Sequence, residues 1–141
     1  VQPCAHQPQA RYKDYTLAGD VLFAFGKSGY GDISPAGRVA ITRLIDQLQS
    51  ENAWLERVVV VGHTDPIGSQ AANQALGQQR ADTVRQMLVA GGISAAAVTA
   101  QSAGSSEPIS QGCSNGSKAE RIACYAPDRR VVVRVDVNRE G

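Results

Sequence analysis

The sequence predicts an α/β sandwich in the wide sense that includes α+β folds: a four-stranded mixed sheet with two main helices on one face. The element order is β-α-β-α-β-(loop)-β, with a loop closed by a disulfide before the last strand. Three observations predict it. Short β-branched runs take turns with longer stretches of helical period. The densest of these runs, Val58–Val61, sits mid-chain between two such stretches. The last run alternates, with Val131, Val133, Val135 and Val137 on one face and Val132, Arg134 and Asp136 on the other.

The elements follow in order. Val1–Gln9, with its prolines and few apolar residues, reads as linker; the domain is placed at 15–141, with 1–14 ahead of it as linker. The first strand is expected over Val21–Phe25, an apolar run ended by Gly26. Gly29, Gly31 and Asp32 mark a loop. Ser34-Pro35 then pairs an N-cap residue with a proline at the first helical position, where no amide donor is needed. Ile41, Leu44, Ile45 and Leu48 recur at helical spacing and carry that helix to about Asn52. Arg57–Val61 reads as a central strand buried on both faces, because its valine run is unbroken. A second helix, roughly Ser69–Ala90, carries Leu76, Val84 and Leu88 and stops at Gly91-Gly92. Val98–Ser102 is a weaker strand. A polar excursion runs from Gly104 to Pro127, with one short helix near Lys118–Cys124, and Arg130–Val137 closes the sheet.

The chain has 141 residues, 43% hydrophobic and 19% charged, a composition suited to one globular domain. Fourteen basic and thirteen acidic side chains leave a net charge of +1, which argues against a nucleic-acid binder with its basic excess. No run approaches the ~20 apolar residues of a spanning helix. The first residues lack a signal-peptide pattern, so any membrane association is expected through parts of a parent protein outside this chain. Cys113 and Cys124 lie 11 positions apart within the polar excursion. A disulfide-closed loop is the natural reading there, worth ~2–3 kcal/mol in the chain-entropy model. Two reduced thiols are the alternative, favoured if the protein is cytosolic. Zinc is disfavoured because His6 and His63 both lie far from the pair. Cys4 has no assigned role.

A candidate site lies between Gly62 and Arg80. His63, Thr64 and Asp65 emerge where a strand ends, the edge at which α/β sheets commonly hold ligands. The N-terminus of the next helix is expected to offer amides to an anion. Asn73 and Arg80 are two turns apart and point the same way, with Gly77 leaving space between them. Arg80 stands in line with Leu76 and Val84, so its guanidinium calls for an acidic partner. That partner is either a ligand carboxylate or a nearby acid such as Asp65, unless the side chain snorkels to the edge of the core. Asp65 is equally suited to a turn, since Asp-Pro often starts one. The segment fits a small zwitterion or carboxylate.

The spacing Gly62-His63-Thr64-Asp65-x-x-Gly68, then Asn73, Leu76 and Arg80-Ala81, resembles the signature of the OmpA-like C-terminal domain family. So do Val21-Leu22-Phe23-Ala24-Phe25 with Lys27-Ser28, Gly104-x-x-Glu107-Pro108, and Ala126-Pro127-Asp128-Arg129-Arg130-Val131. The resemblance runs from about Tyr15 to Val137. The cysteine pair with the Ala-Pro-Asp-Arg-Arg ending resembles the outer-membrane protein A branch, which strengthens the disulfide reading. The resemblance implies a periplasmic domain of an outer-membrane protein that binds the peptidoglycan stem peptide at its meso-diaminopimelate end. Asp65 would hold the ammonium and Arg80 the carboxylate, through a forked pair. Asn73 matches a supporting position, and Thr64, Leu76 and Arg129 match further motif positions. Gly26 departs from the Asp or Asn usual after the first strand, and Gly77 from the usual Ser.

The resemblance implies no catalysis, no cofactor and no metal. His63-x-Asp65 taken as a hydrolase metal site lacks further ligands nearby, and there is no Gly-x-Ser-x-Gly elbow for a serine hydrolase. A structural or protein-binding domain that has lost its ligand is the alternative, and the intact Asp65, Asn73 and Arg80 speak against it.

Overall fold

The valine run does form one of the two interior strands of a four-stranded sheet. A computed structural model of the chain describes residues 11–23, 27–50 and 55–137. Its main elements are β1 (Arg11–Ala18), α1 (Gly19–Leu22), α2 (Pro35–Ser50), β2 (Leu55–His63), α3 (Gln70–Ala90), β3 (Val98–Gly104), α4 (Lys118–Cys124) and β4 (Arg130–Val137). The strands lie in the order β1-β4-β2-β3. β4 runs antiparallel to both its neighbours, whereas β2 and β3 are parallel. A parallel pair needs a long crossover, and α3 supplies it.

Register puts one face of the sheet into the core. Val58 pairs with Val135, Val60 with Val133 and Gly62 with Val131, all six buried. From β1, Tyr15 and Leu17 sit opposite Val133 and Val131 and pack against the same core. Ile41, Leu44 and Leu48 of α2 and Ala81, Val84 and Leu88 of α3 cover this face at helical spacing. The other face is half open. Val59 and Val61 are only partly buried, so β2 is central without being sealed on both sides as its valines suggested. Arg134–Asp14 at 2.8 Å and Arg57–Asp136 at 2.9 Å join residues directly opposite each other on that face.

The first strand is not where the apolar run predicted it. β1 begins at Arg11, inside the stretch expected to be linker, while Gly19–Leu22 form a single helical turn. Phe23 makes one isolated bridge to Ile33; Ala24, Phe25 and Gly26 lie outside the described residues, as do Cys4, His6 and Asn52. The physical reason is burial. Leu22 and Phe23 plug the core while Val21 is exposed, which is not a strand's alternation. Gly19 makes this possible: its amide donates to the Arg129 carbonyl at 2.7 Å, and a Cβ there would stand only 2.7 Å from that oxygen. β1 itself is an edge strand whose Lys13, Asp14 and Thr16 are exposed, so few apolar residues advertise it.

Both main helices start as their sequences predict. The Ser34 hydroxyl accepts from the Gly37 amide at 2.9 Å, and that of Ser69 from the Ala72 amide at 3.0 Å. The excursion before β4 is held twice. Cys113 and Cys124 form a disulfide, with Cα atoms 5.5 Å apart. The fully buried Asp128 carboxylate accepts from the amides of Ile109 and Ser110, both at 2.8 Å, and from the Ser110 hydroxyl at 2.6 Å.

α3 lies against β2 backbone to backbone. The space expected beside Gly77 is taken by the sheet: a Cβ there would stand 2.3 Å from Ser102 Oγ and 2.9 Å from the Gly62 carbonyl oxygen. Gly77→Ser is therefore expected to lower stability by ~1–3 kcal/mol. Adding Ser102→Gly should restore part of that loss. Urea titration of the three proteins measures both effects, and an undiminished Gly77→Ser midpoint would contradict the close approach.

Candidate functional site

Each residue predicted for the site lies on a different part of one small cavity. Thr64, Asp65, Asn73, Leu76, Arg80 and Arg129 line it together with Ile67, around a volume of about 160 Å³. β2 delivers Thr64 and Asp65 just past its end, where the Thr64 amide donates to the Gly104 carbonyl at 2.8 Å. The flank of α3 delivers Asn73, Leu76 and Arg80 on successive turns. The start of β4 is preceded by Arg129. The helix N-terminus, expected to offer its amides, does not line the cavity, and Ser69 already caps it.

Asp65 acts first as a turn residue: its Oδ1 accepts from the Ile67 amide at 3.0 Å. Its partner is not Arg80. Arg129 Nη1 donates to Asp65 Oδ2 at 2.8 Å. The same guanidinium donates through Nε and Nη2 to both oxygens of Asp20, at 2.9 and 2.8 Å. Asp20 leads the effects that raise the Arg129 pKa above its ordinary value, ahead of Asp65. Asp20 and Ile67 were not found from sequence. Asp20 stands within a run dominated by its apolar neighbours, and its partner is 109 positions away.

Arg80 is the unusual group. It is 1% exposed, the largest fully buried side chain among the described residues, and its guanidinium stacks 5.2 Å from the Phe23 ring centroid. Nε donates to the Lys27 carbonyl at 2.9 Å. Nη1 and Nη2 have no hydrogen-bond partner among the described residues, nor does the buried Nδ2 of Asn73. Burial pushes the Arg80 pKa down, opposed by Asp20 and then by Asp65, with Arg129 adding to the depression. A guanidinium stays charged regardless. The cavity therefore combines unsatisfied donors on α3 with a carboxylate already engaged at the end of β2. Such an arrangement accepts a carboxylate beside Arg80 and Asn73, and a cation at the remaining lone pairs of Asp65.

His63 points elsewhere. Its buried Nδ1 lies 3.9 Å from Glu107 Oε1, and His63 does not line the cavity. Burial lowers its pKa, helped by Arg130 and opposed by Glu107. Gly77 is at the helix–sheet contact, and Gly26 lies outside the described residues.

Comparison with known proteins matches residues 22–121 to the OmpA family. The chain is 45% identical over 129 residues to outer membrane protein A of Shimwellia blattae, covering 90% of this chain and 52% of that protein. It is 41% identical over 138 residues to outer membrane protein A of Yersinia pseudotuberculosis, covering 96% and 38%. The chain thus spans about half or less of the length of these relatives. Among solved structures, the cell wall anchor of the T6SS from Pseudomonas aeruginosa is 28% identical at a TM-score of 0.69, covering 89% of this chain and 82% of that one. The peptidoglycan-associated lipoprotein from Burkholderia pseudomallei shares the fold at a TM-score of 0.63 and 24% identity, covering 87% of each chain.

Two outcomes follow from this geometry. Unsatisfied buried donors cost ~1–3 kcal/mol each, so Arg80→Met should stabilise the ligand-free domain, by ~1–3 kcal/mol in net terms after its lost contacts. Thermal unfolding without ligand tests this, and a lower midpoint would count against an unpaired Arg80. For His63 the folded pKa lies below the unfolded value of ~6.5, so the unfolded chain takes up the proton first as pH falls. Its contribution is complete above that pH and is lost below it. Asp128 is also depressed: burial pulls its pKa up, but the Ser110 hydroxyl, the two amides and Arg130 outweigh it. Its contribution disappears only at lower pH, as the folded-state pKa is crossed from above. Urea midpoints should therefore fall between about pH 7 and about pH 5, and His63→Gln should flatten that slope.

Proposed function

The chain belongs to the OmpA family, and from that membership and the cavity's chemistry we propose that it binds peptidoglycan without catalysis. In this reading it is the periplasmic domain of an outer-membrane protein and ties that protein to the cell wall. The ligand is the stem peptide, held at the free end of meso-diaminopimelate. One observation carries the reading: the buried Arg80 guanidinium lines the cavity that also holds Asp65, and two of its nitrogens have no partner among the described residues.

The diaminopimelate end bears one ammonium and one carboxylate on a single carbon. Its carboxylate seats against Arg80 Nη1 and Nη2, with Asn73 Nδ2 as a further donor. Its ammonium meets the Asp65 carboxylate, whose oxygens each keep a lone pair beyond their bonds to Ile67 and Arg129. Ile67 and Leu76 supply apolar wall for the methylene chain. Thr64 is a weaker contributor, because its hydroxyl already donates to the Asp65 carbonyl at 3.0 Å. Arg129 acts mainly by fixing Asp65. The names of similar proteins, a peptidoglycan-associated lipoprotein and a cell wall anchor, support the same class of ligand.

Charge-assisted hydrogen bonds contribute ~1.5–3 kcal/mol each, and ~1.4 kcal/mol is a factor of ten in affinity. Asp65→Ala and Arg80→Ala are each expected to weaken binding of a diaminopimelate-containing stem peptide by at least roughly tenfold. Arg80→Lys should recover only part, since an ammonium lacks the planar fork. Isothermal titration measures this, with circular dichroism confirming the fold of each variant. Undiminished binding by a folded Asp65→Ala/Arg80→Ala double variant would rule out the site. Retention on purified peptidoglycan with no released muropeptides is the outcome expected of a binder that is not a hydrolase.

A further inference from the structure

Arg129 lines the cavity with Asp65 and Arg80, and it carries a second acid that does not line it. Asp20 grips the Arg129 guanidinium through both carboxylate oxygens, at 2.9 and 2.8 Å, while the remaining Nη1 holds Asp65 at 2.8 Å. Arg129 is buried, so its charge is not screened by water; Asp20 is partly exposed and bridges the site to solvent. The cavity's own charged side chains are Asp65, Arg80 and Arg129, one acid against two bases. Left at that, the site would carry a net positive charge and would draw any carboxylate. Asp20 brings the sum to zero.

We propose that Asp20 is a positioning residue that sets specificity: by neutralising Arg129 it makes the cavity select a zwitterionic amino-acid end over a bare carboxylate. The inference rests on the diaminopimelate reading and says why that end is chosen by its ammonium as well as its carboxylate. With Arg129 satisfied by Asp20, the Asp65 carboxylate keeps enough negative charge to hold a ligand ammonium. Without Asp20, Arg129 draws more strongly on Asp65, and the ammonium meets a more nearly neutralised pair. The reach of Asp20 extends to Arg80, where it is the foremost charge acting to keep the guanidinium protonated, ahead of Asp65 itself.

Asp20 also ties α1 to the start of β4, so loss of structure has to be separated from loss of charge balance. Two probes do this. One is the stem tripeptide ending in meso-diaminopimelate; the other carries 2-aminopimelate there, so that its side chain ends in a carboxylate without the ammonium. A structural role shifts both affinities by the same factor, whereas a charge-balancing role changes their ratio. The parent should prefer the diaminopimelate peptide. In Asp20→Asn that preference should fall at least roughly tenfold, with the 2-aminopimelate peptide bound as tightly as before or more so. Asp20→Glu, which keeps the charge, should restore part of the preference. Isothermal titration of both peptides against the three proteins, each checked by circular dichroism, gives the ratios. Equal weakening of both peptides in Asp20→Asn, or an unchanged ratio, overturns the role of Asp20 while leaving the diaminopimelate site standing. A parent that binds neither peptide removes that site and this inference with it.

Discussion

Arg129 holds three segments of the chain at one point. Its carbonyl accepts from the Gly19 amide, its guanidinium grips Asp20 in α1, and the same group reaches Asp65 beyond the end of β2. It stands immediately before β4, the strand that bonds to both β1 and β2. A buried guanidinium is costly unless its donors are satisfied, and here two carboxylates engage it. The mouth of the sheet is fixed in consequence. α1 cannot move from the head of β4, and the turn at Asp65 cannot rotate, without unpairing a buried charge.

That arrangement leaves Arg80 in a different condition. Asp65, the acid its place in the sequence suggested, is already engaged, so among the described residues the second buried guanidinium has the Lys27 carbonyl and the face of Phe23. A side chain this buried with two idle donors is a strained arrangement for a free protein and a prepared one for a carboxylate ligand. In the proposed reading, stability and binding therefore pull in opposite directions at residue 80, as expected where a site is built before its ligand arrives.

Close backbone packing sets how the site is presented. Gly62 and Gly77 allow α3 to lie directly on β2, which brings the flank bearing Asn73, Leu76 and Arg80 beside the strand end bearing Thr64 and Asp65. Side chains at either glycine would push the helix away and open the cavity between them. Ahead of Arg129 in the chain, the disulfide and the buried Asp128 carboxylate pin the polar excursion that leads into it. A long loop of low apolar content acquires a fixed path from these two ties rather than from a core of its own.

What the sequence by itself determined is what local pattern encodes. The valine run of β2, the stripes and caps of α2 and α3, the alternation of β4 and the glycine stop after α3 were all legible, because each depends on neighbours within one or two turns or strand residues. The alignment of Asn73 and Arg80 was legible for the same reason, as a helical repeat. Tertiary structure decided the rest. Only sheet pairing reveals that Arg11–Ala18 is a strand, since its exposed face hides its pattern, and only core burial shows that Leu22 and Phe23 are a plug rather than a strand. The partner of Asp65 was likewise undecidable along the chain. Arg129 lies 64 positions from Asp65 and 109 from Asp20, and charges that far apart in sequence are sorted into pairs only when the fold brings them within hydrogen-bonding distance.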